Sequence, residues 1–297
     1  MTDLVHDLVH DLAPPYLIHA LCFQNKRTEE MRIKFRNVGV DPDVVHFYGG
    51  VPFTDSRLQA ANGLSKWMYQ GSNTSKFVPN AAKFVPNDGI TRCWSLCYGH
   101  LDMIRHYYDR TADMASPPLG IFCEDDVLIR RDFVPQMDRI VHDFYALKLD
   151  ILLLGYLCSF PIHPSVHFHR LDPSSAHPTS DPSIDPHTFQ YFRYPSDTWG
   201  TQMFMMTREH AGRLLETYEH GYVEYTIAHP SNTLPPFSAD WTLTKQLASD
   251  DITSLALLYP PMAIEDGKVR YEHEGQQSTR DRCFQLCYSE DVFGQVL

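Results

Sequence analysis

The chain has 297 residues, of which 43 % are hydrophobic and 21 % are charged, and this composition is typical of a folded globular protein rather than a disordered one. Asp and Glu total 37 against 25 Lys and Arg, so the formal net charge is −12 at pH 7. Because a protein that binds nucleic acid needs a basic surface to contact phosphates, this balance argues against a nucleic-acid partner.

The sequence shows neither of the two common signals for insertion into or export across a membrane. Its longest apolar run, near residues 151–154, is far shorter than the roughly 18 residues that a membrane span requires. Residues 1–12 alternate Asp and His with Leu and Val and lack the basic region of a secretory signal. The seven cysteines are odd in number and scattered, so we expect buried or free thiols and a cytoplasmic protein without a transmembrane segment.

The first part of the chain predicts strands and helices in alternation. Residues 1–15 are interpreted as an N-terminal extension. The apolar runs 17–23 and 44–48 predict two strands, and a polar segment rich in Arg, Glu and Lys predicts a helix over 28–37 between them. Apolar residues at helical spacing predict a longer helix over 91–108.

The alternation continues, which predicts an α/β fold with a mostly parallel central sheet flanked by helices. The segment 160–195 interrupts it, because its many Pro, His, Ser and Asp residues are typical of a long loop. The remaining predicted strands are 119–123, 150–157, 200–206 and 254–259, and the remaining predicted helices are 132–147, 208–218 and 240–248.

Three consecutive acids, Glu124, Asp125 and Asp126, directly follow the predicted strand 119–123. Ligands of parallel α/β sheets bind at the carboxyl ends of the strands. Carboxylates at the edge of a core repel one another unless a positive charge compensates them, and Mg²⁺ or Mn²⁺, which prefer hard oxygen ligands, would do so. The alternative is a solvated acidic turn, since many strands end in Asp residues.

Several motifs resemble one enzyme family. The segment Phe122-Cys123-Glu124-Asp125-Asp126-Val127 resembles the Asp-x-Asp-type motif of nucleotide-sugar-dependent glycosyltransferases with the GT-A fold, in particular glycosyltransferase family 25, the lipopolysaccharide and collagen galactosyltransferase type. The stretch 199–211 resembles the Gly-rich strand of that family and the Ser/Thr-Arg-x-x-Ala helix that follows it, and 236–241 resembles its later Pro-x-Asp-type motif. The opening strand followed by residues 25–28 and Arg32 is similar to the start of the family.

The resemblance implies that residues 16–265 form a single GT-A (Rossmann-like) domain that binds a nucleotide sugar, with 266–297 as a C-terminal tail segment that packs on it. It implies a metal-dependent transfer of a sugar from a nucleotide-sugar donor, with a UDP-sugar favoured, to a glycan or another hydroxylated acceptor. Asp126 would then be the main ligand of Mn²⁺ or Mg²⁺, with Asp125 and Glu124 assisting at the metal and the donor.

The resemblance also implies further residues at the metal and the donor. A further ligand in this fold is often a histidine near the C-terminal end, which makes His273 a candidate; an ordinary surface histidine is the alternative in a chain with 16 histidines. Gly200 and Thr201 belong to the Gly-rich strand and are implied in donor binding. Arg27 and Arg32 could reach the phosphates or the base of the nucleotide, although the charged face of a polar helix is usually only solvated.

An inverting transfer needs a general base that takes the proton of the acceptor hydroxyl. Asp240 is the candidate, because it begins a predicted helix and matches the later motif. The same residue could instead be the N-cap of that helix, a position that Asp favours.

Two other functions compete with sugar transfer. A metal-dependent phosphohydrolase would use the same three acids with water as the acceptor, but it predicts more carboxylates and histidines at other strand ends than this chain offers. A catalytically degenerate glycan-binding module of the same fold is disfavoured by the intact acidic triplet.

Overall fold

The structure, a computed structural model, describes residues 14–59, 88–157, 170–173, 175–179, 189–193, 199–218, 239, 243, 253–267 and 274–294. Residues 1–13 of the predicted extension and most of the helix predicted over 240–248 lie outside the described residues. So do two candidate site residues, Asp240 and His273.

The strands and helices predicted between the first strand and 218, and the strand predicted over 254–259, are confirmed within a few residues. In chain order the elements are β1 (Tyr16–Leu21), α1 (Asn25–Asn37), a 3-10 helix (Pro42–Val44), β2 (Val45–Tyr48), α2 (Asp88–Arg110), β3 (Leu119–Glu124), β4 (Val127–Ile129), α3 (Phe133–Ala146) and β5 (Ile151–Leu157). They continue with β6 (Arg170–Asp172), β7 (Ser175–Thr179), β8 (Gln190–Arg193), β9 (Trp199–Met206), α4 (Arg208–Tyr218), β10 (Leu255–Tyr259), β11 (Ala263–Glu265), α5 (Glu274–Cys287) and α6 (Glu290–Phe293).

Local sequence patterns explain where these elements form. All seven residues of β5 are apolar, glycine or tyrosine and all are buried, as expected for a strand covered on both faces. Helix α3 buries Met137, Ile140, Val141 and Phe144, whose spacing of three and four residues places them on one side of the helix. Helix α1 is followed by Gly39 at φ 80°, a conformation that glycine adopts readily and that ends many helices.

Nine strands form one sheet in the order β2-β1-β3-β9-β5-β10-β8-β6-β7. Strand β1 pairs in parallel with β2 and β3, and β5 pairs in parallel with β10. Strand β9 lies between β3 and β5 and is antiparallel to both, and β8, β6 and β7 continue the sheet with antiparallel pairs. The predicted α/β class is therefore confirmed, with a central sheet that is mixed.

Helices cover both faces of this sheet, so that the described elements form three layers. Alternate strand residues bury their side chains on opposite faces, as Leu153 and Phe204 do on one face and Leu152 and Met203 do on the other. Helices α2 and α4 pack on the first face, and α1 and α3 pack on the second. The sheet is therefore packed on both faces by buried side chains.

The segment 160–195, interpreted from its composition as a long loop, contains three strands among its described residues. Strand β8 pairs with β10, where Phe192 lies opposite Leu257, and β6 and β7 extend the sheet beyond β8. Strand β7 carries Pro178 and is the last strand of the described sheet. An edge strand tolerates proline because one side of it need not donate backbone hydrogen bonds, which is why composition alone concealed β7.

A second, two-stranded sheet pairs β4 with β11 in antiparallel fashion, with Glu265 opposite Val127. Helices α5 and α6 pack on it through Phe284 and Phe293, which contact the cluster that contains Leu128 and Ile264. This small sheet brings the end of β11 next to the residues that follow β3. Among the described helices, none is both long enough and apolar enough to cross a membrane.

His19 lies in the middle of β1 and is completely buried, stacked between the rings of Tyr48 and Phe122. Its Nδ1 forms a hydrogen bond with the Tyr48 hydroxyl at 2.9 Å. Burial, and after it the charge of neighbouring basic side chains led by His46, lowers the pKa of His19 to about 3. The folded protein therefore keeps His19 neutral at a pH where the unfolded chain binds a proton, so stability falls as the pH drops from about 6.5 towards 3.

We expect His19→Leu to lose stability more slowly in acid than the wild-type protein does. Between about pH 6 and pH 4 the missing proton uptake should reduce the slope of the unfolding free energy by about 1.4 kcal/mol per pH unit. Urea denaturation at a series of pH values measures this slope, independently of any loss caused by the missing Tyr48 hydrogen bond. His142→Leu, which removes a histidine side chain that is 80 % exposed, is the control and should keep the wild-type slope. Identical slopes for His19→Leu and wild type would contradict this account.

Candidate active site

The acidic triplet lies where three strands of the sheet meet. Strand β1 is parallel to β3, with Leu21 opposite Glu124, so the carboxyl ends of both strands lie side by side. Strand β9 is antiparallel to β3, with Met203 opposite Cys123, so its first residues lie beside the last residue of β3. This arrangement brings the turn after β1, the triplet and Thr201 together at one edge of the sheet.

Glu124, the last residue of β3, is held by two neighbours from other elements. The Thr201 hydroxyl donates a hydrogen bond to Glu124 Oε1 at 2.5 Å, and Nε2 of His100, a fully buried residue of α2, lies 3.4 Å from the same oxygen. Burial by itself would raise the pKa of Glu124, but the hydrogen bond and charge interaction with His100, the Thr201 hydrogen bond and the charge of Arg280 outweigh it and lower the pKa. Glu124 is therefore an ionised anchor that ties β3 to β9 and α2.

Asp125 turns back towards the segment that follows β1. Its Oδ1 accepts a hydrogen bond from Arg27 Nη1 at 2.5 Å, and its Oδ2 accepts one from the backbone N–H of Phe23 at 3.1 Å. The Asp125 side chain is 6 % exposed and that of Arg27 is 38 % exposed, so the pair lies at the boundary between the core and solvent. A charge-assisted pair in this position fixes both the carboxylate and the start of α1.

Asp126 has the most perturbed carboxyl group of the three. Burial, followed by the negative charges of Glu124 and Asp125, raises its pKa to about 7, although the charges of Arg280 and Arg27 act in the opposite direction. The folded protein therefore disfavours the ionised form of Asp126. A cation bound at this edge of the sheet would relieve that penalty.

The small sheet adds a second pair of acids that the sequence analysis missed. The backbone N–H of Asp266 donates to the carbonyl oxygen of Asp126 at 2.6 Å, which fixes the end of β11 against the triplet. Glu265 forms an ion pair with Arg280 of α5, and Lys34 of α1 lies 3.8 Å from Asp266 and donates to the Val127 carbonyl.

A sequence signal for these acids was present. Ala263 and Ile264 are buried and are followed at once by Glu265 and Asp266, the same change from apolar residues to acids that marks the triplet. His100 has no comparable signal, because it is one of two histidines in α2 and only the tertiary structure places it at Glu124.

The other candidate residues differ in position. Arg27 and Thr201 lie at the triplet, and Gly200, at φ 112°, forms the backbone just before Thr201. Arg32 instead lies 3.3 Å from Glu29 and stacks on Phe47 of β2, and in the described part of the chain it makes no contact with the triplet. The structure therefore brings Arg27 to the acids but does not bring Arg32 to them.

The donor set of this edge fits a hard divalent cation. Its side chains are carboxylates, which Mg²⁺ and Mn²⁺ prefer, and within the described residues the five acids of the triplet and β11 outnumber the cations Arg27, Lys34 and Arg280. Among the residues that the structure describes, no three His, Cys, Asp or Glu side chains already converge on one point as a finished metal site. A cation here would be bound by one or two carboxylates and would complete its shell with water or substrate oxygens, as Mg²⁺ commonly does.

We expect Asp126→Asn to stabilise the metal-free protein at alkaline pH. At pH 8 the Asp126 carboxyl is ionised although the folded protein disfavours its ionised form. Replacing it with a neutral amide should therefore increase the melting temperature by about 2–6 °C in EDTA. The difference should shrink as the pH falls from about 7 towards 4 and vanish only below about pH 3, where the wild-type group is protonated in both the folded and the unfolded state. Thermal denaturation across this pH range is the measurement. Asp109→Asn, which changes a side chain that is 64 % exposed, is the matched control, and equal melting temperatures of Asp126→Asn and wild type at pH 8 would contradict the account.

Neither a scan against protein-family models nor a search of curated proteins finds a match to this sequence.

Proposed function

We propose that this chain is a metal-dependent glycosyltransferase of the GT-A type that transfers a sugar from a nucleotide-sugar donor, with a UDP-sugar favoured, to a glycan or another hydroxylated acceptor. One observation carries the proposal: a cluster of carboxylates at the carboxyl ends of β1 and β3 in which burial and its neighbours raise the pKa of Asp126 to about 7. Such a cluster is suited to a divalent cation and, through the cation, to a diphosphate.

Asp126 would hold the cation, and His273, which lies outside the described residues, is proposed as a further ligand. Mn²⁺ or Mg²⁺ bound there would stabilise the negative charge that develops on the leaving diphosphate. Glu124 would keep Thr201 and Gly200 of β9 at the donor, because its carboxylate accepts a hydrogen bond from the Thr201 hydroxyl.

The proposed reaction is an inverting displacement at the anomeric carbon. The acceptor oxygen forms a bond to that carbon while the bond from the carbon to the diphosphate oxygen breaks, and the nucleoside diphosphate leaves. The proton of the acceptor hydroxyl passes to a carboxylate base, which we assign to Asp240 on the resemblance of residues 236–241 to the later family motif.

The first experiment is a thermal-shift screen of nucleotide sugars with Mn²⁺ and with EDTA. A ligand that binds only the folded state raises the melting temperature, by an amount that increases with its concentration relative to its dissociation constant. We expect one UDP-sugar to raise the melting temperature in Mn²⁺ and to lose this effect in EDTA. If every UDP- and GDP-sugar is silent in the presence of metal, the proposal is overturned and a hydrolase or a degenerate binding module becomes the better interpretation.

Asp126→Ala should abolish transfer while leaving the protein folded, because it removes the main metal ligand and no apolar contact of the core. The assay measures release of nucleoside diphosphate from the donor identified above, with and without added acceptor. Asp109→Ala, which truncates an exposed acid of α2, should retain wild-type activity. Wild-type turnover by Asp126→Ala would remove the metal assignment, whereas release of phosphate that requires no acceptor would favour the phosphohydrolase.

A further inference from the structure

The segment between β1 and α1 is held against the triplet by a single side chain. Asp125 uses one carboxylate oxygen for the Phe23 backbone N–H and the other for Arg27 Nη1. Phe23 begins the turn and Arg27 lies in the first turn of α1, so the carboxylate spans both ends of the segment that links the two elements. The Asp125 side chain is almost completely buried, so its carboxylate is largely shielded from solvent.

The same contacts limit what Asp125 can do for a cation. Each of its oxygens already accepts a hydrogen bond, one of them from a guanidinium at 2.5 Å. A cation bound at Asp125 would have to compete with the charge of Arg27 at that oxygen and to lie close to a like charge.

Arg27, by contrast, retains most of its binding capacity. A guanidinium offers five N–H donors, and Arg27 uses one nitrogen on Asp125 with no other partner among the described residues. Its side chain is 38 % exposed, so part of it remains accessible to solvent. Planar guanidinium groups bind phosphate oxygens through two parallel hydrogen bonds when they are held in position.

We propose that Asp125 is a positioning residue and not a metal ligand: it holds Arg27 in place to bind the diphosphate of the nucleotide, while Asp126 binds the cation. This inference rests on the proposed function, and it gives each acid of the triplet a separate role. Glu124 fixes β9, Asp125 fixes the turn before α1, and Asp126 alone faces the cation.

The test compares Mn²⁺ binding with nucleotide binding by titration calorimetry. Mn²⁺ is titrated alone, and UDP and GDP are titrated in EDTA, so neither readout depends on turnover of the metal-loaded enzyme. The variants are Asp125→Asn, Arg27→Gln and the double variant. Asp132→Asn is the matched control, because Asp132 forms an Arg–carboxylate pair with Arg130 outside the triplet.

Asp125→Asn should leave the Mn²⁺ dissociation constant within about threefold of wild type, and it should weaken the tighter of the two nucleotides by about tenfold. Arg27→Gln should weaken the nucleotide at least as much. The double variant should bind it no worse than Arg27→Gln alone, because Asp125 acts through Arg27. The control should match wild type in both titrations.

A tenfold or larger loss of Mn²⁺ affinity in Asp125→Asn would overturn the inference, since it would make Asp125 a ligand. Additive losses of nucleotide affinity in the double variant would overturn it as well. Wild-type protein that binds neither Mn²⁺ nor either nucleotide would overturn the proposed function itself. If Asp125→Asn does not fold, Arg27→Gln and Arg27→Lys leave the acid in place: loss of nucleotide affinity in Arg27→Gln with Mn²⁺ affinity retained supports the inference, and unchanged nucleotide affinity overturns it.

Discussion

The edge of the sheet that carries the triplet is shaped by the need to compensate negative charge. Carboxylates placed against a hydrophobic core are costly unless hydrogen bonds or opposite charges surround them. Among the described elements, four supply such partners: α1 contributes Arg27 and Lys34, α2 contributes His100, β9 contributes Thr201, and α5 contributes Arg280. The arrangement of strands and helices around the triplet is therefore also a network that neutralises it.

The three acids are not compensated equally, and this difference is the reason to consider a functional role for the triplet. Glu124 is stabilised as an anion, so its pKa is lowered, whereas Asp126 keeps a pKa raised to about 7 although it is only two residues away. A purely structural acidic turn would gain by neutralising all its members or by exposing them to water. A turn that pairs Glu124 and Asp125 with neighbouring groups while the pKa of Asp126 is raised has the charge distribution on which the proposed cation site is based.

The topology explains why these particular residues meet. Parallel pairing of β1 with β3 sets the turn before α1 beside the triplet, and the antiparallel β9 starts its path at the same edge. A β9 that ran parallel would place Thr201 at the opposite edge of the sheet, far from Glu124. The small sheet of β4 and β11 then returns the chain so that Asp266 contacts Asp126 through the backbone.

Much of the fold and part of the site could be predicted because they depend on patterns that are local in the chain. Buried strands such as 151–157 are continuous apolar runs, and the triplet interrupts such a run abruptly, so both are visible without a structure. The strands within 160–195 were not predicted: β6 and β8 are only three and four residues long, and β7 is an edge strand that contains proline.

The sequence by itself determined the α/β class, the order of the main elements and the position of the acids at the end of β3, since each follows from the nature of neighbouring residues. Only the tertiary structure decided which distant side chains compensate which acid. Arg27 and Arg32 lie five residues apart on one helix and are equivalent by composition, yet the pairing of β1 with β3 brings Arg27 to Asp125 while Arg32 stacks on Phe47. Charge compensation is a matter of distance in space, and that distance is set by strand pairing between segments about a hundred residues apart in the chain.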